Sequence, residues 1–253
     1  MMFWKRKKKQ SERSAPSGKI HVFSRHCLFS SISQHKKRLP HFSHELCYQN
    51  LLETIDRERT HLTFFLDVAK GPRESHFIRE EVIETNQGSE AGSFLALLDH
   101  VMGLHLPPET ILYFVEDDYL HRPGWVEILL EGFSVPEADY VTLYDHRDKY
   151  FAPDYRTLTS QLFVTKSCHW RTTPSTTQTF ATRVQTLQRD LPLHRRYSTG
   201  RPISADHDKF CHLSRRGVKL ISSMPGWATH MEPEFASPCF DWGTLLKPEG
   251  TYV

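Results

Sequence analysis

The strongest hydrophobic pattern in the chain is an apolar run that leads directly into three carboxylates. Ile111-Leu112-Tyr113-Phe114-Val115 is followed at once by Glu116-Asp117-Asp118. Pro107-Pro108 precedes the run, and Pro123-Gly124 follows it. A short run of β-branched and aromatic residues between turn residues is typical of a strand that is buried on both faces. The pattern therefore predicts a central strand whose carboxyl end carries the acids.

Strands and helices alternate at short intervals along the first 150 residues. The predicted elements are, in chain order, a strand at 20–25, a helix at 41–55, strands at 62–66 and 82–83, a helix at 91–102, a helix at 125–133 and a strand at 140–144. This alternation is typical of an α/β fold with a doubly wound, mostly parallel sheet and helices on both faces. No internal repeat is visible, and the chain is long enough for one large domain over residues 19–253.

The second half of the chain has a less regular pattern. The predicted elements there are a strand at 162–164, a loop at 172–179, a helix at 180–191, a helix that follows 203–210 and ends at Arg216-Gly217, and a strand at 218–221. After Glu234 the sequence is loop-like, with prolines and little periodicity.

Charge is distributed unevenly along the chain. Residues 1–38 carry eleven Lys or Arg and one acid, a balance of +10, so the remaining 21 bases and 29 acids give −8. The mildly acidic body argues against a nucleic-acid-binding surface. Residues 1–18 have the composition of a disordered basic tail. Phe3, Trp4 and the lysines would allow peripheral membrane contact, and a solvated tail is the alternative. Five unpaired-looking cysteines fit a cytoplasmic protein.

Three adjacent carboxylates repel one another, and a cation would relieve that repulsion. A hard divalent metal, held by one or two of the acids and otherwise by water and substrate phosphate, is one interpretation of Glu116-Asp117-Asp118. The alternative is an acidic cap, with Asp117 or Asp118 at the start of a helix near Trp125.

The order of several polar residues resembles nucleotide-sugar-dependent glycosyltransferases of the GT-A fold, in particular inverting, family-2-like members. These residues are the strand-ending Asp67, the turn at Asn86-Gln87-Gly88, the acidic triplet, Asp206 and His230. The resemblance covers roughly residues 19–232. Its most specific parts are the acidic triplet that ends a strand and the placement of Asp206 eleven residues before Gly217. The sequence departs from the family at Ala205-Asp206, where Glu-Asp is usual.

The resemblance implies a single-domain, Rossmann-like GT-A fold with a nucleotide- and metal-binding half (19–150) and an acceptor-binding half (151–253). It implies a hexosyl- or N-acetylhexosaminyltransferase that uses Mn²⁺ or Mg²⁺. The donor would be a nucleotide sugar, most simply a UDP-sugar, and the acceptor a hydroxyl of a glycan, a lipid-linked glycan or a protein. The Gln-x-x-Arg-Trp signature of processive synthases is absent, which suggests transfer of a single sugar.

Site roles are carried over residue by residue. Asp118 is the expected metal ligand and His230 a further ligand, with a structural histidine as the alternative. Glu116 or Asp117 would reach the ribose or a metal-bound water. Asp67 would accept a hydrogen bond from a uracil ring, unless it only starts a turn. The rest of the expected nucleotide-binding set consists of Ser24, Arg25, Asn86 and Gly88.

Two acids at the start of one predicted helix are candidates for the catalytic base. Asp206 and Asp208 are two residues apart, so they cannot point in the same direction. The spacing to Leu213 and Gly217 favours Asp206 as the base that takes the acceptor proton. Asp208 would then complement the helix dipole.

Two other functions remain open on the sequence. A nucleotidyltransferase shares the fold type and the acidic metal site, but it usually has a glycine-rich loop after the first strand. Residues 24–29 contain no glycine. The second alternative is a catalytically inactive module that binds a glycan or a protein partner.

Overall fold

The computed structural model describes residues 19–246 of the chain. The predicted basic tail at 1–18 lies outside these residues. The strands are β1 (Ile20–Cys27), β2 (Thr60–Asp67), β3 (Val82–Thr85), β4 (Ile111–Glu116), β5 (Tyr119–His121), β6 (Tyr140–Thr142), β7 (Leu162–Val164), β8 (His169–Thr172), β9 (Phe180–Arg183), β10 (Leu220–Met224) and β11 (Ala228–His230). The α-helices are α1 (His44–Thr54), α2 (Glu90–Gly103), α3 (Trp125–Ser134), α4 (Asp148–Phe151), α5 (Val184–Arg196) and α6 (Asp206–Arg215). Short 3₁₀ turns lie at Ser33–His35, Arg73–Ser75, Pro153–Tyr155 and Trp242–Leu246.

Nine strands form one sheet in the order β3-β2-β1-β4-β9-β6-β10-β8-β7. Only β8 and β9 run against the other seven strands, so the sheet is mostly parallel as expected. The Rossmann-like α/β class predicted from the sequence is confirmed. The sheet continues across residue 150, because β9 from the second half of the chain lies between β4 and β6.

Helices cover both faces of the sheet because neighbouring residues of a strand point to opposite sides. Tyr113 of β4 belongs to a core that includes residues of α1 and α3. The adjacent Phe114 belongs to a second core, built with residues of α2, α5 and α6. Both side chains are essentially inaccessible to solvent. The central strand therefore has no polar face, which explains its unbroken apolar run.

The helix predicted over 180–191 is wrong in its first four residues. Phe180–Arg183 forms β9, antiparallel to both β4 and β6. Phe180 and Ala181 are fully buried in the middle of the sheet, where the flanking strands supply hydrogen-bond partners for an extended backbone. The helix begins only at Val184 and runs to Arg196. Tertiary pairing thus outweighs the local sequence pattern at this position.

A small second sheet pairs β5 with β11 and was not expected. His230 lies opposite Tyr119, and Ala228 lies opposite His121. The pairing brings a strand from near residue 230 to the chain segment that directly follows the acidic triplet. It is supported by a hydrogen bond from the Met231 N–H to the Asp118 carbonyl, at 3.0 Å. Within residues 19–246, no helix is long and apolar enough to cross a bilayer.

Candidate functional site

The predicted site residues converge where β2, β1 and β4 end side by side. The register places Cys27 opposite Asp67 and Arg25 opposite Glu116. A cavity of about 310 Å³ opens at this edge. Seven of the eleven residues predicted to act in the site line it, namely Arg25, Asp67, Gly88, Glu116, Asp117, Asp118 and Asp206. Open α/β sheets bind ligands at the carboxyl ends of their parallel strands, so the location fits a ligand site.

Asp118 is already paired within the protein. Its Oδ2 atom accepts a hydrogen bond from Arg38 at 2.8 Å and lies 3.0 Å from His230 Nε2. Burial alone would raise the pKa of Asp118, but His230 and Arg38 hold it well below its ordinary value. The two residues predicted as metal ligands are therefore in contact with each other. His230 lies behind Asp118 and does not line the cavity.

Glu116 carries the least compensated charge of the acidic triplet. Burial raises its pKa well above the ordinary value, and Asp118, Glu90 and Asp206 add to this effect against the opposing Arg25. Arg25 is the nearest cation, at 3.6 Å from Oε1. A cation that enters the cavity would lower this pKa and favour the ionised carboxylate of Glu116.

The donor set fits a metal that arrives with phosphate ligands. Across residues 19–246, no group of three or more His, Cys, Asp and Glu side chains is arranged to hold a metal ion by itself. Mg²⁺ is usually held by one or two carboxylates, with waters and substrate phosphates in the remaining positions. Asp118 and Glu116 provide two such carboxylates at the cavity wall. Mn²⁺ or Mg²⁺ at this position stays a prediction.

Arg25 pairs with two acids at this edge of the sheet, Glu90 and Glu116. It donates to the Glu90 carbonyl at 2.8 Å and to Glu90 Oε1 at 2.7 Å. Glu90 Oε2 accepts in turn from the Ser204 N–H at 2.7 Å. Arg25 itself is only 8% exposed. The guanidinium is thus a structural tie between β1, α2 and the loop before α6, as well as a positive wall of the cavity.

Asp117 pairs with a histidine at the start of α1. His44 Nδ1 lies 3.4 Å from Asp117 Oδ1. Burial opposes protonation of His44, but the hydrogen bond and charge of Asp117 raise the pKa of this imidazole to about 9. His44 lines the cavity and is positively charged at neutral pH.

Asp67 organises the loop that begins α2. Its carboxylate accepts from three backbone N–H groups, those of Ala69 at 3.0 Å, Gln87 at 3.2 Å and Gly88 at 2.9 Å. Gly88 has φ of +66°, a left-handed conformation that favours glycine. These contacts give Asp67 the turn-forming role that was the alternative for it, while contact with a nucleobase stays a prediction.

The two candidate bases begin the same helix, α6, but point to different surroundings. Asp206 lines the cavity, whereas Asp208 is exposed on α6. Burial raises the pKa of Asp206 to about 6, although Lys209 opposes this shift. Lys209 Nζ lies 3.1 Å from Asp206 Oδ1. A carboxylate of this kind changes protonation near neutral pH, which suits a general base.

Three predicted nucleotide-binding or catalytic residues do not reach the cavity. Ser24 is buried beneath it and is bonded to His26 at 2.8 Å, because it points to the opposite face of β1 from Arg25. Asn86 is exposed in the loop before Gly88, and Asp208 is exposed on α6. The cavity lining includes none of the three.

Charged residues that shape the site but were not predicted from the sequence include Arg38, Glu90 and Lys209. Lys209 could have been found from its position three residues after Asp206, on the same helical face. Glu90 directly follows the helix cap Ser89 and was hidden by its ordinary first-turn position. Nothing in the local sequence connects Arg38 to Asp118, which is 80 residues away.

The likeness of this chain to known proteins lies in structure and not in sequence. No protein-family model matches the chain, and a search of curated proteins gives no match. Among solved structures, the chain is similar to CMP:2-keto-3-deoxy-manno-octonic acid synthetase complexed with CTP. The two are 16% identical with a TM-score of 0.46, and the similarity covers 83% of this chain and 92% of that one. So distant a likeness carries no argument about activity.

The enzyme class expected from the sequence finds no support in this comparison. The sequence resemblance implied a hexosyl- or N-acetylhexosaminyltransferase, whereas the similar solved structure is named as a synthetase complexed with CTP. A glycosyltransferase is therefore not the class proposed for this protein.

Proposed function

We propose that the cavity binds a nucleoside triphosphate with a divalent cation, and that the protein transfers the nucleotidyl group to a hydroxyl of a sugar or sugar acid. The observation that carries this proposal is the mixture of charges around one cavity. Carboxylates that suit a cation and a general base share its wall with cations that suit phosphate oxygens.

The positive groups in the lining are Arg25, Lys36, His44 and Lys70. A triphosphate with one bound divalent cation retains negative charge, and these side chains would compensate it. The loop after β1 supplies further contacts, because Ser30, Ser31 and Ser33 line the cavity. Small hydroxyl residues thus occupy the segment where a nucleotidyltransferase usually carries glycines, which weakens the objection drawn from the sequence.

An apolar part of the same loop suits a nucleobase. Phe29 and Ile32 line the cavity and are 46% and 43% exposed. An exposed apolar patch that is rimmed by polar residues is one of the features that mark a ligand-binding groove. A base that covers Phe29 would share the cavity with the carboxylates and with the phosphates of the same nucleotide.

The proposed transfer assigns one proton-transfer step to Asp206. Its carboxylate takes the proton of the acceptor hydroxyl as the hydroxyl oxygen bonds to the α-phosphorus. The bond from the α-phosphorus to the oxygen that bridges to the β-phosphorus breaks, and pyrophosphate leaves with the electron pair. Arg25 and Lys70 would hold the phosphates in place. A cation held by Asp118 and Glu116 would neutralise charge on the phosphate oxygens.

Binding is tested by thermal unfolding with ATP, CTP, GTP or UTP in the presence of Mg²⁺. At a hundred times its dissociation constant, a ligand adds about 2.7 kcal/mol to the free energy of unfolding. We expect this stabilisation with at least one triphosphate, its loss with EDTA and none with the matching nucleoside. Stabilisation by nucleoside diphosphates or nucleotide sugars without any response to triphosphates would contradict the proposal.

A further inference from the structure

A lysine ammonium group is fully buried directly behind the candidate base. Lys209 of α6 has a relative exposure of 0%. Its Nζ atom donates to Asp206 Oδ1 and to Gln178 Oε1, each at 3.1 Å. Burial of a lysine is costly unless the charge is paired and hydrogen-bonded, so these two contacts hold the ammonium in place.

Three aromatic rings fix the position of this ammonium. Nζ lies 4.9 Å from the ring centre of Phe94, 5.0 Å from that of Phe210 and 5.6 Å from that of Phe180. These rings come from α2, α6 and β9, so three separate elements enclose the cation. Cation–π contacts of this kind attract the ammonium and exclude water from it. The side chain cannot move away from Asp206 without leaving this enclosure.

We infer that Lys209 is a positioning residue that keeps the Asp206 carboxylate ionised and directed into the cavity. This role rests on the proposed function, in which Asp206 takes the acceptor proton. Lys209 itself does not line the cavity. It therefore acts through Asp206 and not on the substrate.

The charges around Asp206 explain why one buried cation matters so much. Lys209 faces it from α6, Arg25 from β1, Glu90 from α2 and Glu116 from β4. Arg25 is committed to Glu90 at 2.7 Å. Lys209 is thus the one cation of this group in direct contact with Asp206 among the described residues. Without it, burial and two neighbouring acids would act against ionisation of Asp206 with little opposition.

The test is the pKa of the Asp206 carboxyl group in the Lys209→Met protein. The titration is followed through the NMR signal of the carboxyl carbon. Loss of an adjacent opposite charge moves a carboxyl pKa by about 1 to 3. We expect an upward shift of at least about 1, with the acid limb of the pH–kcat/KM profile moving by the same amount. Arg215→Met removes a charge from the exposed face of the same helix and serves as the matched control, with no shift expected. An unchanged Asp206 pKa in folded Lys209→Met would overturn the inference.

A second comparison keeps the inference testable if Lys209→Met folds poorly. Loss of Lys209 leaves the Asp206 carboxylate unpaired. Adding Asp206→Asn to that variant removes this carboxylate, so the double variant should unfold at a higher temperature than Lys209→Met alone. Equal or lower stability of the double variant would show that the two side chains are not coupled. The NMR and unfolding measurements need no substrate. A failed activity assay with a shifted Asp206 pKa would therefore count against the proposed function and not against the role of Lys209.

Discussion

Asp206→Asn is expected to lower turnover by at least about a hundredfold while leaving nucleotide affinity nearly unchanged. General-base catalysis typically contributes about 10²- to 10⁴-fold to a rate, and asparagine cannot take the acceptor proton. Asp206 has the position for this role, since it lines the cavity at the start of α6. Its pKa of about 6 also leaves it ionised at neutral pH. Turnover and nucleotide affinity are measured separately for the variant.

Asp208→Asn is the matched control for this prediction. Asp208 belongs to the first turn of the same helix but is exposed and outside the cavity lining. Its loss should remove only a favourable interaction with the helix dipole, about 0.3–1 kcal/mol of stability. The variant should retain most of its turnover. A larger rate loss in Asp208→Asn than in Asp206→Asn would contradict the assignment of the base.

The pH dependence of kcat/KM gives the same assignment a second test. The raised pKa of Asp206 means that its proton is bound below about pH 6 and released above it. The base form is therefore lost as the pH falls through about 6, so the rate should fall by about tenfold per pH unit on the acid side. In Asp206→Asn, this limb should be absent from the residual activity.

Arg25→Met is expected to cost about 3 kcal/mol of the free energy of unfolding. Removal of one member of a buried charge pair leaves the other charge without compensation, which typically costs about 3–5 kcal/mol. Arg25 is the ion-pair partner of both Glu90 and Glu116. These two acids are about a quarter exposed, so partial hydration places the expected loss at the lower end of that range. Urea unfolding at pH 7 measures it.

Arg195→Met provides the control for loss of an arginine as such. Arg195 pairs with Asp99 at 2.6 Å, but both side chains are at least half exposed. Exposed ion pairs contribute about 0–1 kcal/mol, so this variant should lose little stability. Glu90→Gln added to Arg25→Met should recover part of the loss. If Arg25→Met costs no more than Arg195→Met, Arg25 is not the structural tie that its contacts indicate.

The sequence was most informative where short-range patterns decide the structure. The apolar run before Glu116 predicted β4, and the acids at its end lie at the edge of the sheet where the cavity opens. Both follow from the burial of a central strand, which needs an unbroken apolar run and puts polar residues at its ends. The spacing within α6 also distinguished the cavity-lining Asp206 from the exposed Asp208, because a helix separates residues two apart.

Contacts between distant segments could not be predicted in the same way. Arg38 and His230 reach Asp118 only because the segment before α1 and strand β11 are brought to it by the fold. The local sequence of β9 favours a helix, and only the pairing with β4 and β6 on either side makes it a strand. Ser24 and Arg25 were both predicted to bind the nucleotide, but alternation along β1 turns them to opposite faces.

Pyrophosphate release tests the central claim most directly. The protein is incubated with Mg²⁺, each of the four ribonucleoside triphosphates and a panel of sugars and sugar acids, and the phosphorus-containing products are separated by chromatography. We predict pyrophosphate together with a nucleotidyl-sugar product, dependent on the metal and lost in Asp206→Asn. Triphosphate binding without pyrophosphate under any of these conditions, or release of a nucleoside diphosphate from a nucleotide sugar in their place, would contradict the account.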